Sequence, residues 1–211
     1  TDVDSVVSAI VRAEEDEYVD AIVLDVNSPG GTPQAGDELL RAITHDTSKP
    51  VVAVVRDVGA SAAYWAIAGA DHIIASPISD VGSIGVTMSY VESAGAVEQE
   101  GSRWIDLSSG AFKDAGAPDR VLREEEAAHF QAQVDMVHDY MVERIAAARP
   151  ALTERTLARI ADGRAFLGME ALEYGLVDAL GSFDEAMEYV AAQTGVPGVL
   201  CGPPLSAPWW W

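Results

Sequence analysis

The apolar positions of the chain change period several times. Residues 3–13 (VDSVVSAIVRA) carry them at helical spacing, behind Asp2 or Asp4 as a capping acid. Residues 20–26 (DAIVLDV) form a short run rich in β-branched residues, which reads as a buried strand. Asn27-Ser28-Pro29-Gly30-Gly31 is a dense turn signal, and a helix is predicted at about 34–45. Val51–Val55 is a second buried strand. After a loop at Asp57-Val58-Gly59, a helix of small residues is predicted at about 60–69. His72–Ala75 is a third strand, and Val81–Met88 is extended and broken by glycine. A helix near 90–100 and a strand at Trp104–Leu107 follow. The remainder is helical: one long helix over 122–148 ending before Pro150, another opening at Thr153, and short ones near 168–174 and 183–193.

This β-α-β-α-β alternation predicts an α/β fold, a mostly parallel sheet with right-handed crossovers and flanking helices, followed by a helical C-terminal part. Residues 1–196 read as one domain. Residues 197–211, rich in Gly and Pro and ending in Trp209-Trp210-Trp211, read as a flexible tail suited to a membrane interface or a neighbour's groove.

Composition narrows the class. A hydrophobic fraction of 49% with 22% charged residues excludes disorder over most of the chain. No stretch approaches the ~18 consecutive apolar residues of a membrane span, and no basic-then-apolar leader is visible at Thr1. The single cysteine, Cys201, excludes an intrachain disulfide framework and a multi-Cys metal site. The four histidines (His45, His72, His129, His138) show no metal-ligand spacing, so no metal and no cofactor are expected. His72 reads as a partly exposed structural residue, and His129 and His138 as solvated ones.

Charge changes the picture more. The formal net charge is −21, spread along the chain, which argues against nucleic acid as a partner. Among 13 basic residues only Lys49 and Lys113 are lysines. A dispersed acidic surface poor in lysine predicts a protein that works in concentrated salt, where self-repulsion is screened.

Three loops carry candidate chemistry. Gly30 and Gly31 follow a strand's carboxyl end, where parallel sheets place ligands and where glycine lets a ligand approach the backbone. In Gly59-Ala60-Ser61-Ala62-Ala63-Tyr64-Trp65, a serine opens a helix after a tight turn, flanked by small residues. The logic is that of a nucleophile elbow, with Ala63 in place of the second glycine. The third loop is Ser108-Ser109-Gly110-Ala111-Phe112-Lys113-Asp114. Arginine stays charged near neutral pH whereas a desolvated lysine can lose its proton, so a lysine kept amid arginines suits a titratable role. Lys49, at a strand start before Pro50, reads as structural.

Together these motifs resemble the signal peptide peptidase A family, serine proteases with a Ser/Lys dyad on a ClpP/crotonase-like fold. The likeness runs from about Val3 to about Val196. It rests on N-S-P-G-G at 27–31, G-A-S-A-A-Y-W at 59–65, V-G-S-I-G-V at 81–86, S-G-A-F-K-D at 109–114 and A-D-G-R-A-F-L-G-M-E-A-L-E-Y-G-L-V-D at 161–178. The resemblance implies that Ser61 is the nucleophile, that Lys113 is its general base and that Ser83 orients the lysine amine. It implies an oxyanion hole of the Gly31 and Ala62 N–H groups, shaped by Gly30. Substrate is expected beside Gly30-Gly31 and along Val81, Gly82, Ser83, Ile84, Gly85 and Val86.

The implied function is endoproteolysis of residual signal peptides or other hydrophobic, membrane-derived peptides through an acyl-enzyme. A neutral base requires Lys113 to sit in an apolar setting beside Ser61. Family members usually carry a membrane anchor and a strand before the first helix. Neither is visible in this sequence, so a trimmed, membrane-associated, extracytoplasmic domain is expected. A homo-oligomer is implied as well, with the 122–148 helix supplying contacts; its charged run Arg123-Glu124-Glu125-Glu126 reads as a solvated face. Two alternatives share the fold: a crotonase-like acyl-CoA enzyme and a non-catalytic scaffold. A ClpP-type Ser-His-Asp triad is disfavoured, because Val86 stands 25 residues after Ser61, where its histidine would fall.

Overall fold

A computed structural model describes residues 2–201; of the 197–211 tail read above as flexible, residues 202–211 lie outside the described residues. The chain divides into two compact units. Among the described residues, the first comprises 2–85 and 141–201, and the second is Val86–Tyr140.

The first unit holds a six-stranded sheet. Its centre is β2 (Val51–Ala60), whose first five residues are all buried. β1 (Ile22–Ser28) runs parallel to it, from Ile22 opposite Val51 to Ser28 opposite Gly59, with a register shift after Val26. The other edge of β2 is shared by two parallel strands. β3 (His72–Ala75) pairs with Val52–Val55, and β4 (Asp80–Gly82) pairs with Val58–Ala60. β5 (Ala165–Leu167) adds antiparallel to β4, and β6 (Ala179–Leu180) parallel to β3. The α/β, mostly parallel architecture is the one expected. The two added strands, of three and two residues, are too short to leave a period in the sequence.

Helices cover the sheet. α1 (Val3–Glu15) ends where Glu14 accepts hydrogen bonds from Thr47 Oγ1 and from the Ser48 N–H and hydroxyl. Those bonds, Thr47's foremost, hold the Glu14 carboxyl at about 2. Lys49 Nζ donates to Ala13 O and Asp16 O at 2.6 Å each, so this lysine caps carbonyls at the end of α1. α2 (Pro33–His45) opens on a Thr32 cap with proline at its start. It meets α3 (Ala62–Ile67) through Gly36, where a Cβ would stand 3.0 Å from both Ala62 O and the Trp65 ring. α6 (Glu154–Ile160), α7 (Gly168–Tyr174) and α8 (Phe183–Thr194) complete the unit. α8 sets Ala186 and Val190 against Val52, Val54 and Ile74.

The second unit contains α4 (Ala94–Gln99) and the first part of α5 (Glu124–Ala148). The strand expected at Trp104–Leu107 does not form. Trp104, Ile105 and Leu107 are 66, 72 and 94% exposed, and the run has no ladder partner among the described residues to satisfy its backbone. The helix expected from residue 60 starts at Ala62, because β2 continues through Ala60.

Candidate active site

β2 and α3 join at Ser61, whose backbone has φ 55° and ψ −126°. Among the described residues only Ser61 and Ser83 take positive φ without being glycine. Such a conformation costs about 1–3 kcal/mol and persists only where its surroundings impose it. Here the Ser61 N–H donates to Gly82 O at 2.7 Å, and Ser61 O accepts from the Trp65 N–H at 2.9 Å. The serine is thus clamped between β4 and the first turn of α3. α3 is itself anchored: Tyr64 and Trp65 are buried, and Tyr64 Oη donates to Leu176 O at 3.0 Å. Burial pushes the Tyr64 hydroxyl well above its ordinary range, so it stays a neutral donor.

The loop after β1 packs on this turn. At Gly30 (φ 116°) a Cβ would stand 2.8 Å from Ser61 Cβ, 3.0 Å from Ala60 O and 3.1 Å from Ala62 N. Only glycine permits both the φ and that approach. The loop is steadied by Ser28 Oγ, which accepts from the Gly30 N–H at 3.3 Å, and by Asn27 Nδ2, which donates to Asp57 Oδ2 at 3.1 Å. Gly31 is exposed, with open space where a side chain would stand. The N–H groups of Gly31 and Ala62 donate to no backbone carbonyl among the described residues. Ser61, Gly30, Gly31 and Ala62 are therefore brought together.

Ser83 follows β4 with φ 50°. Its N–H donates to Arg164 O at 2.9 Å and its Oγ to Gly163 O at 3.1 Å. Val81, Gly82 and Ile84 are buried, and Val81 is paired with β2 on one side and β5 on the other. Gly85 and Val86 stay half-buried.

Lys113 belongs to the second unit. It is exposed, on a turn where its N–H donates to Gly110 O at 3.0 Å. With Trp104, Asp106, Leu107, Ser108 and Asp114 it lines a cleft of about 520 Å³ in that unit. The lining is part apolar and part acidic, not the apolar setting that a neutral base calls for.

The charged run beside this turn departs from its reading as a solvated face. Glu126 is 0% exposed and gathers Arg120 and Arg123. A glutamate three residues after Arg123, accepting the Arg123 N–H at the start of a helix, is half of a capping box, and that spacing was the available sequence signal. His72 is half-buried, stacked on Tyr189 at 4.0 Å with Asp178 beside it. Burial lowers its pKa, as suits a structural histidine. Among the described residues no group of three or more His, Cys, Asp or Glu side chains could hold a metal ion. Nor is any described helix long and apolar enough to cross a membrane.

Comparison with known proteins gives the family. Residues 43–197 match the profile of Peptidase family S49. A candidate protease of Methanocaldococcus jannaschii is 36% identical over 176 residues, 83% of this chain and 56% of that protein. A candidate protease of Synechocystis is 33% identical over 193 residues, 91% of this chain and 69% of that protein. A candidate signal peptide peptidase of Enterococcus faecium is 32% identical over 179 residues, 84% of this chain and 52% of that protein. The chain thus spans from about half to 69% of the length of these relatives. With that family profile covering most of its length, the chain belongs to peptidase family S49, a family of serine proteases whose relatives include a candidate signal peptide peptidase.

Proposed function

We propose that this domain is a serine endopeptidase in which Ser61 attacks the peptide carbonyl and Lys113 accepts its proton. The observation that carries the reading is the backbone of Ser61. A half-buried serine held at positive φ between a strand and a helix, beside two N–H groups that donate to no backbone carbonyl among the described residues, supports the reading of Ser61 as the nucleophile.

The chemistry runs in two halves. Lys113, neutral, takes the hydroxyl proton as Ser61 Oγ bonds to the carbonyl carbon. The oxyanion accepts hydrogen bonds from the Gly31 and Ala62 N–H groups, donors whose individual loss typically costs ~10²–10³ in rate. The lysine then protonates the leaving amine, and water hydrolyses the ester by the reverse path. Ser83 orients the amine in this reading. Its hydroxyl, donating to Gly163 O, keeps its lone pairs to accept from an ammonium.

Substrates are extended peptides lying beside Gly30-Gly31 and along the 81–86 segment, where Gly85 and Val86 offer the accessible surface. Residual signal peptides and other apolar membrane-derived segments suit the family. The active form is a homo-oligomer attached to a membrane. Exposed Trp104, Ile105 and Leu107, in the unit that carries Lys113, supply apolar surface for a neighbouring copy to cover, which dries the lysine. The acidic surface makes high salt the working condition.

The test is cleavage of an internally quenched apolar peptide in molar salt. Ser61→Ala and Lys113→Ala are expected to lose activity by about 10³-fold or more while keeping the assembly of the wild type. Activity that survives Lys113→Ala but not Ser61→Ala means a different base.

A further inference from the structure

We propose that Glu126 is a positioning residue for Lys113, acting through Arg120 and Arg123. The inference rests on Lys113 being the base.

Glu126 stands in the first turn of α5 and is 0% exposed. A buried charge persists only when paired and hydrogen-bonded. Arg120 supplies a two-pronged bond, Nη1 to Oε2 at 2.8 Å and Nη2 to Oε1 at 2.7 Å. Arg123 adds its Nη2 on Oε1 and its backbone N–H on Oε2 at 3.1 Å. Both carboxylate oxygens are thereby filled by two guanidinium groups whose forks are fixed in plane.

Each arginine has a second hold, and the two holds bracket the lysine. Arg123 Nη2 donates to Ala111 O at 2.6 Å, two residues before Lys113. Arg120 Nη2 donates to Asp114 O at 2.9 Å and to the Asp114 carboxylate at 3.3 Å, one residue after it. Between the brackets the chain makes tight turns: Lys113 N–H to Gly110 O at 3.0 Å, Ala115 N–H to Phe112 O at 3.2 Å and Ala117 N–H to Asp114 O at 3.0 Å. Phe112 rests against His129 of α5, with ring centroids 5.4 Å apart. The Ala111 and Asp114 carbonyls on either side of Lys113 are therefore tied, through the two arginines, to one buried carboxylate in the first turn of a 25-residue helix. Asp114 belongs to the cluster, whereas its neighbour Lys113 makes no bond to it among the described residues and is exposed. An arrangement that only tied the loop down would not need both arginines to hold the backbone on either side of one free amine.

The test uses the full chain and its unusual composition. With only two lysines, protein labelled with ¹³C-lysine gives two sets of side-chain signals. Lys49, bound to Ala13 O and Asp16 O in the other unit, is the internal reference. Glu126→Gln is expected to move the Lys113 signals, leave those of Lys49 in place, and lower kcat about tenfold or more at unchanged KM, since small misplacements of a reacting group cost up to ~10² in rate. Arg123→Gln, which leaves the Arg120–Glu126 pair intact, decides if Glu126→Gln does not fold; there kcat is expected to fall about three- to tenfold with the same shift of Lys113. Unmoved Lys113 signals with full kcat in a folded variant overturn the proposal. Lys113→Ala separates the two levels. Wild-type turnover in that variant removes Lys113 as the base and takes this inference with it. Lost turnover in Lys113→Ala beside full turnover in Glu126→Gln removes only the positioning role.

Discussion

Among single residues, Ser61 stands out by its backbone. Its positive φ is a strain that catalysis would use and stability does not need. Ser61→Gly relieves that strain and is expected to raise unfolding stability by about 1 kcal/mol, read as a shifted denaturant midpoint, while cleavage is lost. A lowered midpoint would mean that the serine side chain stabilises the turn and that the elbow is not strained. Glycine and small residues in the elbow and in the loop after β1 allow the close approach that their pattern implied. Gly30 and Ser61, 31 positions apart in sequence, do meet. The sequence was misread at Glu126: its spacing from Arg123 is that of a capping box, but a run of charges does not show how deeply one member is buried. Arg120, six residues upstream, is what makes the burial tolerable, and the pairing exists only once the loop has folded back.

At the scale of elements, β-branched runs marked β1, β2 and β3; β2 and β3 are buried as expected, whereas β1 is mostly half-buried, with Asp25 and Asn27 exposed, so its reading as a buried strand went too far. The long helix was legible. What escaped were elements defined by partners rather than by pattern. β5 and β6 exist because β4 and β3 offer edges, and Trp104–Leu107 fails to be a strand because no edge receives it. The element ends hold another consequence. Glu14 fastens the end of α1 and Glu126 the start of α5, each with its carboxyl held at about 2 instead of the ordinary 4.5. For Glu126 the Arg120 hydrogen bonds lead, and the Arg123 N–H adds to them. A lowered carboxyl pKa stabilises the fold above the unfolded value, so both contributions are complete above pH 4.5 and drain away as pH falls towards 2. Stability measured against pH is expected to fall across that window, and Glu14→Gln to flatten the slope. An unchanged slope in Glu14→Gln would remove that latch from the account.

At the scale of the whole molecule, charge dominates. A net charge of −21 on 211 residues repels both the compact state and any second copy at low ionic strength. Thermal stability and oligomer size are expected to rise together between dilute and molar salt, followed by melting and by light scattering. Equal size and equal melting in both conditions would contradict the assignment of salt as the working medium. The family was legible from five ordered motifs, whereas the partner surfaces were not, since exposed apolar residues in the second unit leave no period of their own. In the proposed mechanism Ser61 is a nucleophile whose reactivity depends on Lys113. The most direct measurement is the rate at which a serine-directed acylating probe labels the protein in molar salt, with the adduct located by peptide mass spectrometry. The account predicts one adduct, on Ser61, formed at least ~10²-fold more slowly in Lys113→Ala. Labelling on another residue, or at the wild-type rate without Lys113, would contradict it.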